Sequence, residues 1–350
     1  MWGSARTARI PGTMESCIVF VTRDRPITAL ANLLLLSRSG IPIIVLDNSR
    51  KVSLRREIQA SHHFSQVWYH GSLEQARLLE STFRFIPSVY NYIGPLGAGY
   101  WNTGHIRNYA ILLCNILRVQ KVFFIDDDIA VRDPRILKLA SEMLDHVDFI
   151  GVRFNGVPDQ SVIGHIQMKI GDSDCFEFPS GGLLGFDLAS VTEPVLNYYN
   201  EDWMWVLMHR HSSYAMIPRA ALHKPQGDTR NAPERAIWQE IGEIMFDGVW
   251  NAAVTRDFSR LINDEEWDAV VKEKIVWIEN IIEQCRLREE RFGEEIGIRV
   301  LRHISTMSAS LLTAIFSQYY MEKPKWNRIL KASSRLTMKR NMQELNSRRY

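Results

Sequence analysis

The run Lys121-Val-Phe-Phe-Ile-Asp-Asp-Asp-Ile-Ala-Val131 decides how the chain is read. Val122 to Ile125 is a short unbroken apolar segment of β-branched and aromatic residues, which predicts a buried strand. It stops at three consecutive carboxylates, Asp126, Asp127 and Asp128. In an open α/β sheet, ligands collect outside the carboxyl ends of the strands. Three acids at such a place repel one another unless a cation is near, so they suggest a hard divalent metal and a phosphate-bearing ligand. A solvated acidic turn running into Asp133-Pro134 reads equally well from these residues alone.

Toward the amino end, Cys17-Ile-Val-Phe-Val-Thr22 is a second buried-strand segment. Apolar residues then recur at helical spacing from Ile27 to Arg38, and Gly40 ends that helix. Ile41 to Leu46 predicts the next strand, closed by Asp47-Asn48-Ser49. This is a strand–helix–strand unit of the size of a right-handed parallel crossover. Its first turn, Thr22-Arg-Asp-Arg-Pro26, has neither the glycines of a dinucleotide fingerprint nor a phosphate-loop lysine. A helix over 52–60, a strand over 66–69 and a helix over 73–85 are expected next. Four glycines between Gly94 and Gly104 lead into the apolar helix His105 to Leu117. A glycine-rich loop at a helix start offers N–H groups and a positive dipole end to an anion, with His105 and Arg107 in the first turn. A structural pairing of Arg107 with an acid is compatible with the same residues.

The bulk properties are those of an ordinary globular chain, 46% hydrophobic and 23% charged, long enough for one large α/β domain with an appendage. A net charge of +2 gives no reason to expect nucleic acid as a partner. The charge is uneven, however. Nine Lys or Arg against Glu344 put +8 on Lys323 to Tyr350, leaving −6 elsewhere. That segment reads as a solvated basic tail, with peripheral contact to an anionic membrane surface as the alternative. Cys17, Cys114, Cys175 and Cys285 are widely spaced, which argues against a zinc site or a disulfide framework and makes a reducing cytoplasm the expected location. No segment approaches the roughly 20 apolar residues of a membrane span. Residues 1–15 are expected to be a disordered tail.

Beyond the acids, 134–146 predicts a helix and Phe149 to Phe154 a strand, while 155–173 reads as a loop or hairpin. Phe178-Pro-Ser-Gly-Gly-Leu-Leu-Gly-Phe186 predicts a strand in which Gly181 and Gly182 let a backbone come close to a ligand, or simply a bulged strand. Asn200-Glu-Asp-Trp-Met-Trp205 opens a helix with two acids, a common cap and dipole arrangement. From Asn231 the chain turns helical. Asn263-Asp-Glu-Glu266 starts one helix, whose apolar stripe runs from Trp267 to Cys285, and a second is expected over about 294–320.

Taken in order, Gly104-His-Ile-Arg-Asn-Tyr-Ala110 followed by Phe123-Phe-Ile-Asp-Asp-Asp128 resembles glycosyltransferases of the GT-A fold, family 2 and its relatives. Those nucleotide-diphospho-sugar transferases carry a Gly-x-x-x-Arg-Asn helix before an apolar strand ending in Asp-x-Asp. The resemblance spans roughly residues 16–225. It implies an α/β, Rossmann-like sandwich with a mostly parallel central sheet. The chain then divides into a catalytic domain over 16–230, a helical extension over 231–322 and the basic tail over 323–350. The helical extension is expected to pack on the domain edge, cap the acceptor site or make a homodimer contact. The resemblance further implies a metal-dependent hexosyltransferase acting on a UDP- or GDP-linked sugar, with a small molecule, a glycan or a peptide as acceptor. Asp126, Asp128 and His223 would hold Mn2+ or Mg2+, and Asp127 would meet ribose or sugar hydroxyls. Thr22, Arg23 and Asp47 would meet the base, and Arg107 the diphosphate or donor sugar, with Lys224 or Arg219 also reaching the diphosphate. Gly181 and Gly182 would face the sugar. Asp202, with Glu201 as the second choice, would be the general base of an inverting reaction, a retaining front-face mechanism being left open if no base is suitably placed. Trp203 and Trp205 are candidates to stack on a sugar or an aromatic acceptor, core packing being the commoner use of tryptophan. The other readings are a sugar-phosphate nucleotidyltransferase and a non-catalytic nucleotide-sugar-binding assembly protein.

Overall fold

A computed structural model describes residues 14–49, 54, 57–58, 67–71, 103–156, 160–171, 178–223 and 232–334. The start of the amino-terminal tail, most of the expected 52–60 helix, the 73–85 helix, the glycine-rich loop up to Asn102, Lys224, the Arg219 side chain, Cys175 and the chain from Arg335 lie outside the described residues.

The strands are β1 (Met14–Thr22), β2 (Ile43–Asp47), β3 (Val67–Gly71), β4 (Val119–Asp126), β5 (Ile129–Ala130), β6 (Phe149–Gly156), β7 (Leu183–Asp187) and β8 (Tyr214–His223). The helices are α1 (Pro26–Leu36), α2 (Thr103–Ile116), α3 (Arg135–Met143), α4 (Val162–Lys169), α5 (Glu201–Met208), α6 (Ala232–Thr255), α7 (Asp264–Leu287), α8 (Arg291–Ile304) and α9 (Ala309–Ser333). The sheet order is β3-β2-β1-β4-β7-β6-β8-β5. It is mixed and more parallel than antiparallel: β7 meets β4 and β6 antiparallel, β5 meets β8 antiparallel, and the other pairings are parallel.

Alternation along the central strands builds two cores at once. Ile18, Phe20, Phe123 and Ile125 face α1 and α3, burying Leu33, Leu36, Leu137 and Ala140. Cys17, Val19, Val122 and Phe124 face the other way, onto α2, Trp205 of α5 and Trp326 of α9. A strand covered on both faces must be apolar at every position, which is why β1 and β4 read as continuous runs. α1 begins with Pro26 at its first turn, and Gly40 ends the turn that follows it at φ 72°. Cys17, Cys114 and Cys285 are buried free thiols.

Only Asp127 and Asp128 separate β4 from β5, yet β5 pairs at the far edge of the sheet. The sheet therefore curls until its last strand stands beside the end of its central one. The bend sits in β8, where the register with β6 jumps between Val152↔Ile217 and Phe154↔Ala221. Pro218 falls inside that irregularity, as expected of a residue that cannot donate to a ladder. After it, His223 pairs with Ile129, directly after the acids.

The carboxyl-terminal half departs from the sequence expectations. Residues 162–169 form α4, capped by Ser161, whose hydroxyl accepts from Gly164 N–H, where a loop or hairpin was expected. The expected 294–320 helix is two helices, α8 and α9. Ser305 and Thr306 turn their hydroxyls onto the carbonyls of Leu301 and His303 at the break. The expected basic tail is also not a tail from its start, because α9 continues to Ser333 with Trp326 wholly buried under the sheet. Asn115 at the end of α2 donates to Leu330 O and to Ser333 Oγ at 2.7 and 2.6 Å. α6 to α9 share a core with α4 and α5, so the helical half is one packed body with the sheet and not an edge appendage. No helix among the described residues is long and apolar enough to cross a membrane.

Burial of Trp326 carries a measurable consequence. Trp326→Ala is expected to lower unfolding stability by about 3–5 kcal/mol in urea denaturation, whereas a solvated tail would give a change near zero.

Candidate active site

β1 leads to β2 on one side while β4 lies on its other side, so the crevice between the ends of β1 and β4 is a topological switch point. Register places Val21 beside Asp126 and Thr22 beside Asp47. A cleft of about 400 Å3 opens there. Its wall includes Thr22, Arg23, Arg107, the three acids 126–128, Gly182, Glu201, Asp202 and His223, gathering most of the residues singled out in the sequence. Asp47 is not among them. It is buried after β2, where its two oxygens accept from the N–H groups of Ser49 and Leu54 at 2.8 and 3.0 Å. A carboxylate committed to two backbone donors shapes a turn, so the expected base contact is replaced by a structural one.

The three acids divide by their partners. Asp127 accepts from Thr22 Oγ1 at 2.8 Å, from Arg23 N–H at 3.4 Å and from Arg25 at 2.9 Å, while its carbonyl accepts from Asn32 Nδ2 at 2.7 Å. It is a tie between the first turn and β4. Asp128 takes a second bond from the same Arg25 Nη1, at 2.8 Å. Asp126 is the most open, with its side chain 34% exposed and Arg107 Nη2 3.6 Å away. Burial pushes the Asp126 carboxyl well above the usual range. Arg107 opposes this, and Asp128, Asp127 and Glu201 add to it. Asp127 is raised by burial as well, against the pull of Arg25.

Arg107 does not wait for a ligand. Its side chain is 3% exposed, and Nη1 lies 2.8 Å from Glu201 and 4.0 Å from Asp202. A Cβ on Gly181 would overlap that guanidinium, so the glycine makes room for arginine and not for a sugar. Gly181 N–H donates to Asp202 Oδ2, and Gly182 O accepts from Asp126 N–H at 3.1 Å. Glu201 is thereby neutralised in the interior, while Asp202, at 12% side-chain exposure, reaches the cleft. Trp205 lies in the core, edge-on to Phe149 and Phe186, and cannot stack on a ligand. Trp203 is half-buried and lines the cleft.

Among the polar residues on this wall that were not found in the sequence are Arg25, His165, Arg235 and Gln239. Arg25 stood in plain view in the first turn. The others come from α4 and α6, and α4 was signalled only by Ser161 before Val162, Ile163 and Ile166. Among the described residues, Arg235 Nε is buried with no hydrogen-bond partner.

Among the described residues no three His, Cys, Asp or Glu side chains stand as a preformed metal set. The donor chemistry still fits a hard divalent ion. Arg25 already occupies a cation position between Asp127 and Asp128, and Mg2+-type sites commonly use one or two carboxylates with substrate phosphates and water.

No family model matches the sequence, and no curated protein does. Among solved structures, the chain is similar to glucosyl-3-phosphoglycerate synthase of M. tuberculosis (12% identity, 69% of this chain and 80% of that one, TM-score 0.43). It is also similar to a mannosyltransferase from Pyrobaculum calidifontis solved with GDP-mannose and Mn2+ (8% identity, 89% and 87%, TM-score 0.44). These are likenesses in the course of the backbone.

Two outcomes follow from the geometry. Arg107→Met leaves Glu201 buried and uncompensated, and is expected to cost about 3–5 kcal/mol by chemical denaturation, with Arg107→Met/Glu201→Gln recovering part of it. The raised Asp126 and Asp127 carboxyls bind protons more tightly folded than unfolded. Their contribution is full below the ordinary carboxylate range and is lost as pH rises through the raised values. The Tm of the chain should therefore fall over that interval, as followed by thermal denaturation across a pH series.

Proposed function

We propose that this chain is a metal-dependent glycosyltransferase that moves a sugar from a UDP- or GDP-linked donor to an acceptor hydroxyl with inversion, Asp202 acting as general base. The observation that carries this reading is one cleft at the switch point with carboxylates on two walls. Asp126 and Asp128 stand at the sheet end and Asp202 at the start of α5, with the buried Nε of Arg235 on the same wall surface.

In this reading Asp126 and Asp128 hold Mn2+ or Mg2+ against the donor diphosphate. The ion supplies Lewis-acid stabilisation of the departing nucleoside diphosphate. Arg235, whose buried Nε stands on the same cleft, would take the diphosphate contact expected of Arg107, because Glu201 already holds Arg107 at 2.8 Å. Arg23 would be left to the nucleoside side of the cleft, and His223, which lines the same cleft from β8, would be a further ligand for the ion. Asp202 Oδ2 is fixed by Gly181 N–H, which leaves Oδ1 to accept the acceptor proton as its oxygen attacks the anomeric carbon and the bond to the diphosphate breaks. Glu201 is the weaker candidate because Arg107 already holds it. A nucleotidyltransferase needs a free phosphate-binding turn after β1, and here Thr22, Arg23 and Arg25 are engaged with Asp127.

The test is a thermal-shift panel of UDP-, GDP- and dTDP-sugars with and without Mn2+. One donor is expected to stabilise the chain by about 2.7 kcal/mol at 100 times its Kd, and only with the ion. Arg235→Ala should weaken that donor roughly 10- to 100-fold. Asp202→Asn should keep donor binding and lose transfer. Stabilisation by none of the donors sinks the reading, and donor binding with transfer untouched by Asp202→Asn points to the binding-protein alternative.

A further inference from the structure

A second cavity of about 380 Å3 adjoins the cleft and shares Gln160, Tyr199, Asn200 and Trp203 with it. Its far side is built by α6, from Glu243, Phe246, Asp247 and Trp250. The aromatic surface is held rigidly. Phe246 meets Trp203 edge-on at 5.2 Å and Trp250 at 6.2 Å, and Phe178 packs on both indoles at 5.7 and 6.5 Å. Trp203 and Trp250 are both half-buried and both line the cavity.

The polar groups beside them are carboxyls, yet the wall carries little net charge. Asp247 is paired with Lys274 at 2.8 Å, and that lysine is buried, with its ammonium 4.6 Å from the centre of the Trp277 ring. Glu243 is hydrogen-bonded to Asn200, and its carboxyl is pushed up to about 8 by burial, with Glu240 and Asp247 adding and Lys274 opposing. That direction favours the protonated carboxyl, which both donates and accepts. No Lys or Arg is among the described residues lining this cavity.

We infer that this cavity is the acceptor subsite of the proposed transferase, and that it takes a neutral glycan, a pyranose ring laid against Trp203 and Trp250 with its hydroxyls on Glu243 and Asp247. An indole platform matches the C–H face of a sugar ring, and its polar tip and rigidity suit a ligand that is apolar on one face and wet at its edges. A phosphorylated or carboxylated acceptor would meet carboxyls and no facing cation. A cationic peptide would meet a wall whose carboxylate is already neutralised by Lys274. Continuity through Asn200 and Trp203 carries a ring seated there to Asp202, the next residue but one along α5's start.

This inference rests on the proposed transferase reading, so the experiment separates the two. Saturation-transfer NMR on the full chain would use methyl glucoside, methyl mannoside, methyl galactoside, cellobiose and maltose as neutral probes. It would use 3-phosphoglycerate and glucuronate as anions, and a trilysine peptide as the cation. UDP and GDP with Mn2+ are titrated in parallel. At least one neutral saccharide is expected to bind, with neither anion nor peptide competing. Trp250→Ala should weaken it by up to about tenfold while leaving nucleotide binding unchanged. Asp247→Asn, which keeps the size of the side chain and a hydrogen-bond acceptor for Lys274, should weaken it too. Nucleotide binding with no neutral saccharide bound, an anion or the peptide bound instead, or saccharide binding indifferent to both substitutions overturns the subsite. Saccharide binding in a chain that binds no nucleotide keeps the subsite and removes the donor reading.

Discussion

The arrangement turns on one buried cation. Arg107 projects from α2 into the space that Gly181 leaves by having no Cβ, and meets Asp126 from β4 and Glu201 and Asp202 from α5. A guanidinium taken out of water at this depth is tolerable only when charge and hydrogen bonds meet it on several sides. Pairing its charge ties four separate pieces of chain to one another: α2, the end of β4, the turn before β7 and the start of α5. It also sorts the acids. Glu201 is held in the interior, Asp202 is steadied by a backbone N–H, and Asp126 is left the most open of the set.

The same logic explains why the helical half cannot be detached from the site. Glu193 is the hub of a second buried network. Its carbonyl accepts from Trp205 Nε1 at 2.7 Å, and its carboxylate accepts from Tyr319 at 2.8 Å and from Lys323. Tyr319 and Lys323 belong to α9, whereas Trp205 sits on α5 three residues after Asp202. α9 thus braces the back of the helix whose front carries the candidate base. α6 goes further and supplies lining, with Arg235 and Gln239 on the cleft and Glu243, Asp247 and Trp250 on the adjoining cavity.

Legibility followed the range of the interactions. β1, β2 and β4 were readable because a strand buried on both faces has to be apolar throughout. Asn263 was readable because a cap acts within one turn, and its side chain does accept from Glu265 N–H. The acids at the strand end, and their company with Thr22, Arg107 and Asp202, were foreseen from motif order. Partnership was not. Nothing local says that Arg25 reaches residues 102 and 103 positions away, or that Asp47 will bend back onto Leu54. Trp205 reads as a candidate to stack on a sugar as well as a core residue, and Trp326 stands among charged residues, until the tertiary packing puts both under the sheet. The Lys323 segment failed for a related reason. In the helical part of that segment the apolar residues packed on the sheet core are Trp326, Ile329 and Leu330, too sparse a stripe to outvote the nine charges between Lys323 and Tyr350.

The charges of the cleft can now be taken as pairs instead of as a total. Arg25 is bound to Asp127 and Asp128, and Arg107 is bound to Glu201 with Asp126 at longer range. What the wall still presents outward is Asp126, Asp202 and the free edge of Asp128 on the acidic side, with Arg235 on the basic side. A simple anion would suit only the second group and a simple cation only the first. A ligand that carries its own cation against two phosphates satisfies both, and it does so without breaking the Arg107 arrangement behind. Binding would then ask only Arg25 to share Asp128, and Arg25, at 34% side-chain exposure, is the most solvated of the paired arginines here and the least costly to move.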